Sequence, residues 1–295
     1  RYGKKKSLVT ALHQVSFEVE KGELFGIIGP DGAGKTSLFR ILTTLLLPEG
    51  GTASVDGFDV VKDYKAIRKK VGYMPGRFSL YQDLTVKENL DFFATIFNTS
   101  VEENYELVKD IYSQIESFKD RRAGKLSGGM KQKLALSCAL IHRPAVLFLD
   151  EPTTGVDAVS RKEFWEMLRR LKEQGITILV STPYMDEAGL CDRVALIQSG
   201  RILSINTPQG IVETFGKKLL AVKSDNMLQL LDWLKQCEWV EDAYPFGEFH
   251  HVVMKKGGEH ELTEYLSQRI NAFELHETEP NIEDCFMSLM KESNE

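Results

Sequence analysis

The chain has 295 residues, 42% apolar and 27% charged, with a formal net charge of −6. This is globular composition, long enough for one large domain and a small one, and its acidic balance argues against non-specific nucleic-acid binding. No apolar run approaches the roughly twenty residues of a spanning helix, so the chain is not expected to cross a bilayer alone, and no secretory leader is expected.

In chain order, Val15, Phe17 and Val19 alternate with polar residues and predict a strand. "ELFGIIG" predicts a short buried strand ending in glycine, and "KTSLFRILTTLLL" a helix stopped before Pro48. "KVGYMP" predicts another strand, and residues 86–119 two helical segments broken near "NTSVEE". Residues 128–142 predict a helix with Leu134, Leu136, Ala139, Leu140 and Ile141 on its buried side. "AVLFLD" predicts an apolar strand ending in acid, residues 158–174 a helix, "ITILVST" a strand, and "DRVALIQ" with "GRILSI" a closing hairpin. Strands alternating with helices argue for an α/β domain with parallel strands in its core.

The composition changes near "FGKKLL", which divides the chain into expected domains at 1–216 and 217–295. The second part predicts strand 219–223, helix 226–236, strands 238–243 and 248–254, helix 258–270, strand 273–276 and helix 281–291. That βαββαβ order is expected to form a ferredoxin-like α+β module. His250 and His251 are adjacent, so on a strand they face opposite ways. They read as a strand edge without metal. Cys138, Cys191, Cys237 and Cys285 are far apart, with no zinc spacing, and read as reduced, mostly buried thiols of a cytosolic protein. The chain begins at Arg1 without methionine, so the true N-terminus is expected further upstream.

"GPDGAGKTS" matches G-x-x-x-x-G-K-[ST], between an apolar strand and a helix. In such a loop Gly29, Gly32 and Gly34 let the backbone bend so that its N–H groups face phosphate oxygens, and Pro30, Asp31 and Ala33 complete the phosphate-binding loop. Lys35 reaches the terminal phosphates, Thr36 offers its hydroxyl to Mg²⁺, and Ser37 opens the helix beside it. Asp150, ending "AVLFLD", is placed to hold Mg²⁺ through water, and Glu151 to act as general base on the attacking water. "LSGGMKQK" is a second loop of free N–H groups at a helix start, through Ser127, Gly128 and Gly129, but it has no lysine in the phosphate-binding position.

The order of "GPDGAGKTS", "LSGGMKQK", "LFLDEPTTGVD" and "STPYMDEA" resembles that of ATP-binding cassette (ABC) ATPases, over most of residues 8–215. "GYMPGRFSLYQDLTVKENLDFFA" and "LSGGMKQKLALSCALIHRP" are similar to ATPase subunits of ABC-2-type exporters, especially the first cassette of tandem ones, and "EPNIEDCFMSLM" resembles their C-terminal end. The resemblance implies a P-loop fold with an antiparallel β subdomain and a helical signature subdomain. It implies ATP and Mg²⁺ as ligands, a second cassette (in a homodimer or heterodimer) and transmembrane permease subunits as partners. The chain would lie peripherally on the cytoplasmic face of the inner or plasma membrane, without nucleic acid. Ser127, Gly128 and Gly129 would complete the partner cassette's site, Tyr2 would stack on adenine, and Asp157 would touch the partner. Residues 77–97, with Phe78, Leu80, Tyr81, Leu84, Phe92 and Phe93, would meet the membrane subunit.

Two positions depart from the family. Gly76 replaces the usual glutamine that senses metal and water, with Gln82 six residues on, and Pro183 replaces the usual histidine at the γ-phosphate. The readings therefore left open are an exporter ATPase, a regulatory cassette with little hydrolysis of its own, and a soluble non-transport ABC protein.

Overall fold

The computed structural model describes residues 10–255 and 257–292, and Tyr2 lies outside them. The first part runs β1 (Leu24–Ile28), α1 (Lys35–Leu42), β2 (Ser54–Val55), β3 (Phe58–Asp59), α2 (Tyr64–Lys70), β4 (Val71–Met74), α3 (Val86–Ile96), α4 (Tyr105–Glu116), α5 (Gly128–Leu140), β5 (Val146–Asp150), α6 (Ala158–Glu173), β6 (Thr177–Thr182), β7 (Arg193–Gln198), β8 (Arg201–Asn206) and α7 (Pro208–Glu213). The second runs β9 (Leu219–Ser224), α8 (Met227–Gln236), β10 (Val240–Phe246), β11 (Phe249–Met254), α9 (Glu259–Ser267), β12 (Phe273–Glu277) and α10 (Ile282–Glu292). The chain divides into two compact units, one ending at Gln209 and one spanning Gly210–Glu292.

In the first unit six strands lie in the order β4-β5-β6-β1-β7-β8. All neighbours are parallel except β7 and β8, which form the expected antiparallel hairpin. β1, β5 and β6 are buried along their whole length, as parallel strands covered on both faces must be. Phe25 and Ile27 of β1 pack with Phe39 of α1 and Phe148 of β5 in one apolar cluster, the last two rings meeting edge to face at 5.7 Å. The carboxyl ends of these strands carry the loops where an α/β sheet binds ligands.

α3 and α4 both pack against α5 as the helical part. Each of the five residues expected on the buried side of α5 is buried. Thr85 caps α3 in a reciprocal box with Glu88.

Two expectations fail here for local reasons, and three short elements were not expected at all. Residues 15–19 are not in a ladder; Val15, Phe17 and Val19 do pack on the core, so the alternation marks a face and not a paired strand. α1 stops at Leu42, five residues short, because Thr44 turns left-handed at φ 63° and the N–H groups of Leu45 and Leu46 both return to the Arg40 carbonyl. A β-branched residue is strained there, and Arg68 holds it, donating from Nε and Nη2 to the Thr44 hydroxyl and carbonyl at 2.8 Å each. The short β2–β3 hairpin and α2 carry too few periodic residues to be read from sequence.

The second unit is an antiparallel sheet in the order β10-β11-β9-β12, the ferredoxin-like arrangement. Leu220, Val222, Val252 and Met254 pack with Leu230 and Leu234 of α8 and Leu262 and Leu266 of α9. β11 is a central strand, so the edge expected at His250 and His251 is corrected: both are buried, one on each face. His250 Nε2 lies 2.6 Å from the Met227 carbonyl. His251 Nδ1 lies 2.6 Å from Asp284 of α10, which also accepts from the Tyr244 hydroxyl at 2.8 Å and the Asn281 N–H at 2.8 Å. All four cysteines are buried and free.

Burial works to raise the Asp284 carboxyl, but hydrogen bonds from His251, Asn281 and Tyr244 outweigh it and hold the group below its ordinary value of 3.8. A carboxylate whose folded pKa is depressed contributes stability that is present above the unfolded pKa and lost as pH falls through the folded one. Asp284→Asn is therefore expected to cost about 2 kcal/mol at neutral pH. Its difference in Tm from the parent should hold above about pH 5 and shrink below about pH 4. Thermal melts across that range check it; a difference that does not change with pH removes the charge from the account.

Candidate nucleotide site

Directly after β1 stands Gly29, where nothing larger fits: a Cβ there would lie 2.1 Å from the Ile197 carbonyl oxygen. Gly34, at φ 104°, closes the loop, where a Cβ would meet the Ala11 carbonyl oxygen at 2.5 Å. Between them the chain wraps the N-terminus of α1, whose first-turn N–H groups have no acceptor within the helix. The Lys35 side chain is 2% exposed. Its Nζ donates to the carbonyls of Gly29 at 2.7 Å and Pro30 at 3.0 Å and lies 3.1 Å from Glu151 Oε1. The loop glycines, Lys35 and Glu151 are thus brought together.

The strand ends supply the oxygens. Thr36 Oγ1 donates to Asp150 Oδ1 at 3.2 Å, and Ser181 Oγ of the adjacent β6 donates to the same oxygen at 2.8 Å. Asp150 is 2% exposed. Burial, and next the Asp150 charge, push the Tyr73 phenol up to about 12. Glu151 takes a left-handed backbone at φ 51°, with its N–H shared between the Ser181 carbonyl at 3.0 Å and hydroxyl at 3.1 Å. This turn aims the carboxylate back at Lys35.

Gly76 sits beside these groups. A Cβ there would lie 2.9 Å from the Asp150 carbonyl oxygen and 3.8 Å from the Glu151 Cβ. Gln82 does not take its place, because its side chain lies against Gly124, whose N–H donates to the Gln82 carbonyl at 2.9 Å. The end of β6 is equally closed. Ser181 is engaged with Asp150, the Thr182 hydroxyl donates to Glu187, Pro183 has no N–H, and the Tyr184 N–H donates to Thr182 Oγ1 at 3.1 Å.

Glu187 was not singled out from the sequence. It is 1% exposed and also accepts from Thr153 Oγ1 at 2.8 Å, with Arg161 Nε at 3.6 Å. It ties the β6 end to the loop after Glu151. The signal was one of two adjacent acids in "MDEA", which sequence alone reads as surface residues.

Ser127 and Gly128 are exposed at the start of α5, and Ser127 Oγ accepts from Met130 N–H at 3.4 Å as its N-cap. Asp157 caps α6 through Ser160 N–H at 3.0 Å, and this bond holds its carboxyl below the ordinary value. Of the aromatic set in residues 77–97, Leu80 is buried while Tyr81 and Phe92 are exposed and meet edge to face at 4.8 Å. Phe78, Leu80, Phe93, Phe97, Leu45 and Arg68 are among the residues around a cavity of about 290 Å³.

Residues 12–154 match the family described as ABC transporter. The probable multidrug ABC transporter ATP-binding protein YbhF of Escherichia coli K12 is 38% identical over 92% of this chain and 48% of its own length. The chain thus spans about half of that relative. The Nod factor export ATP-binding protein I of Rhizobium sp. N33 is 34% identical over 97% of this chain and 95% of its own length. NatA, an ABC transporter ATP-binding protein of Bacillus subtilis 168, is 38% identical over 72% and 89%. The dimeric structure of a post-hydrolysis state of the ATP-binding cassette MJ0796, bound to ADP and Pi, aligns with a TM-score of 0.63 at 25% identity, covering 70% of this chain and 94% of that one. With its lysine loop, strand-end acids and Ser-Gly-Gly helix start in the family's order, the chain belongs to the ATP-binding cassette family, among the ABC transporter ATP-binding proteins.

Proposed function

We propose that the chain hydrolyses ATP to drive an ABC-2-type exporter, paired with a second cassette and bound peripherally under permease subunits on the cytoplasmic side. One observation carries the pairing. The exposed N-terminus of α5 offers N–H groups and a helix dipole to an anion, but has no lysine in the position that Lys35 holds in the first loop: Lys131 lies over the Phe78 ring and Lys133 pairs with Glu163. A facing cassette's loop supplies the missing charge, and this chain's Lys35 supplies it in return. The all-oxygen pair of Thr36 and Asp150 suits Mg²⁺, which would neutralise phosphate charge there. Glu151, held at the loop, takes the proton from the attacking water. The cavity edged by Phe78, Phe93 and Phe97 suits an apolar segment of the permease.

Gly128→Asp tests the pairing better than a change at Gly129. A Cβ at 129 falls 2.7 Å from Ser160 Oγ, whereas at 128 the nearest atom is 3.7 Å away. An aspartate in the first turn suits the helix dipole, so folding should survive, while its charge opposes the facing phosphates. ATP-dependent dimerisation, measured by light scattering, is expected to disappear, with this chain's ATP affinity within about twofold of the parent. Lost affinity with retained pairing would overturn the head-to-tail arrangement. For the exporter, ATPase activity should rise when the permease subunits copurify with the chain; an assembled complex no more active than the chain alone counts against it.

A further inference from the structure

We propose that the outer face of α2 and the segment following α1 form a contact surface for the anionic headgroups of a phospholipid membrane. The proposal rests on the reading of this chain as a peripheral subunit under a permease, and names a second partner for it.

Residues 61–70 read "VKDYKAIRKK". Lys62, Lys65, Arg68, Lys69 and Lys70 stand there against a single carboxylate, Asp63, in a chain whose net charge is −6. All five cations are exposed. Lys70 pairs with Asp56 at 2.7 Å, and Arg68 is bound to Thr44. Lys62, Lys65 and Lys69 pair with no carboxylate among the described residues.

Apolar side chains are interleaved with these cations. Leu45 is 57% exposed, Leu47 70%, Val61 48% and Tyr64 39%. Arg68 joins the two segments: besides holding Thr44, its guanidinium lies 5.2 Å from the Tyr64 ring centroid, and it lines the same cavity as Leu45. The leucines are therefore presented by a fixed backbone. Lysines alone would make an ordinary solvated face. Leucines and a tyrosine set among unpaired lysines match the membrane boundary, where apolar groups enter the headgroup layer and ammonium groups reach phosphate.

The observations favour lipid over an acidic permease segment. Of the five cations only Arg68 lines the cavity, so a segment seated there would leave Lys62, Lys65 and Lys69 outside it.

The test uses the purified full chain and phosphatidylcholine vesicles with or without phosphatidylglycerol, read by co-sedimentation at low and high salt. Binding is expected only with phosphatidylglycerol and should weaken with salt. Each lysine near an anionic surface contributes roughly fivefold, so K62Q/K65Q/K69Q together should weaken binding on the order of a hundredfold. Leu47→Ser should weaken it at both salt levels. The variants should keep the parent's ATP-induced rise in Tm, since none of these residues lies in the nucleotide site. A parent chain that ignores phosphatidylglycerol, or a triple variant that binds like the parent, overturns the assignment. If the parent ignores vesicles while the triple variant loses copurifying permease, the face belongs to the permease. Neither failure touches the ATPase reading, which stands or falls on hydrolysis.

Discussion

Lys35→Ala is expected to melt at the same temperature with and without ATP and magnesium, while the parent gains several degrees. A ligand at about a hundred times its Kd stabilises by about 2.7 kcal/mol. For a cassette of this size that corresponds to roughly 5–10 °C. The lysine supplies the one positive charge of the loop; without it only backbone N–H groups and the helix dipole remain to attract the phosphates. Its surroundings dictate how the experiment is read. The ammonium is held by the Gly29 and Pro30 carbonyls and faces Glu151 at 3.1 Å. Phosphate oxygens must replace those partners, which they can do because they carry more charge than carbonyls and compete with one carboxylate. Alanine also leaves Glu151 without its cation, so the unliganded melting temperature will itself move. The nucleotide-induced difference, measured by differential scanning fluorimetry, is therefore the quantity to compare. A variant keeping the full rise would refute the role of the loop.

What sequence could and could not reveal follows from how far each interaction reaches. The lysine loop is legible because consecutive backbone N–H groups must wrap one phosphate, which fixes the spacing of its glycines and lysine along the chain; the contact that excludes a side chain at Gly29, with the distant Ile197 carbonyl, is not itself legible. The buried strands are legible because an unbroken apolar run admits few alternatives. The end of α1 was not legible, since it depends on Arg68, twenty-four positions from Thr44, holding a strained turn. Glu187 is hidden for the same reason. Its partners Thr153 and Thr182 approach only once β5 and β6 are paired. Residues 15–19 show the converse: alternation correctly marks an inward face but cannot say whether a neighbouring strand is there to pair.

The site built on this chain's lysine loop is expected to be slow, by on the order of a hundredfold relative to one with both switch groups. One preorganised transition-state donor is typically worth about 3 kcal/mol. The structure strengthens the case made by Gly76 and Pro183, because the neighbours that could substitute are already engaged. Ser181 is bonded to Asp150, the Thr182 hydroxyl to Glu187 and the Tyr184 N–H to Thr182, which leaves the Tyr184 phenol as the remaining donor of residues 181–184. That ring lies under Arg161, 4.1 Å from the guanidinium carbon to the centroid. Glu151 can still accept a proton, so hydrolysis should be slow and not absent. Pro183→His is expected to raise the single-turnover rate at least tenfold with ATP affinity unchanged, since the added donor acts on the transition state. Gly76→Gln is the poorer test, because its Cβ would start 2.9 Å from the Asp150 carbonyl and displace the strand end. In a pair of unlike cassettes, Glu151→Gln should slow total turnover less than the equivalent change in the partner. If Glu151→Gln alone stops turnover as fully, or if Pro183→His leaves the rate where it was, this site is competent without the histidine. Tyr184→Phe would then be the variant expected to lose activity.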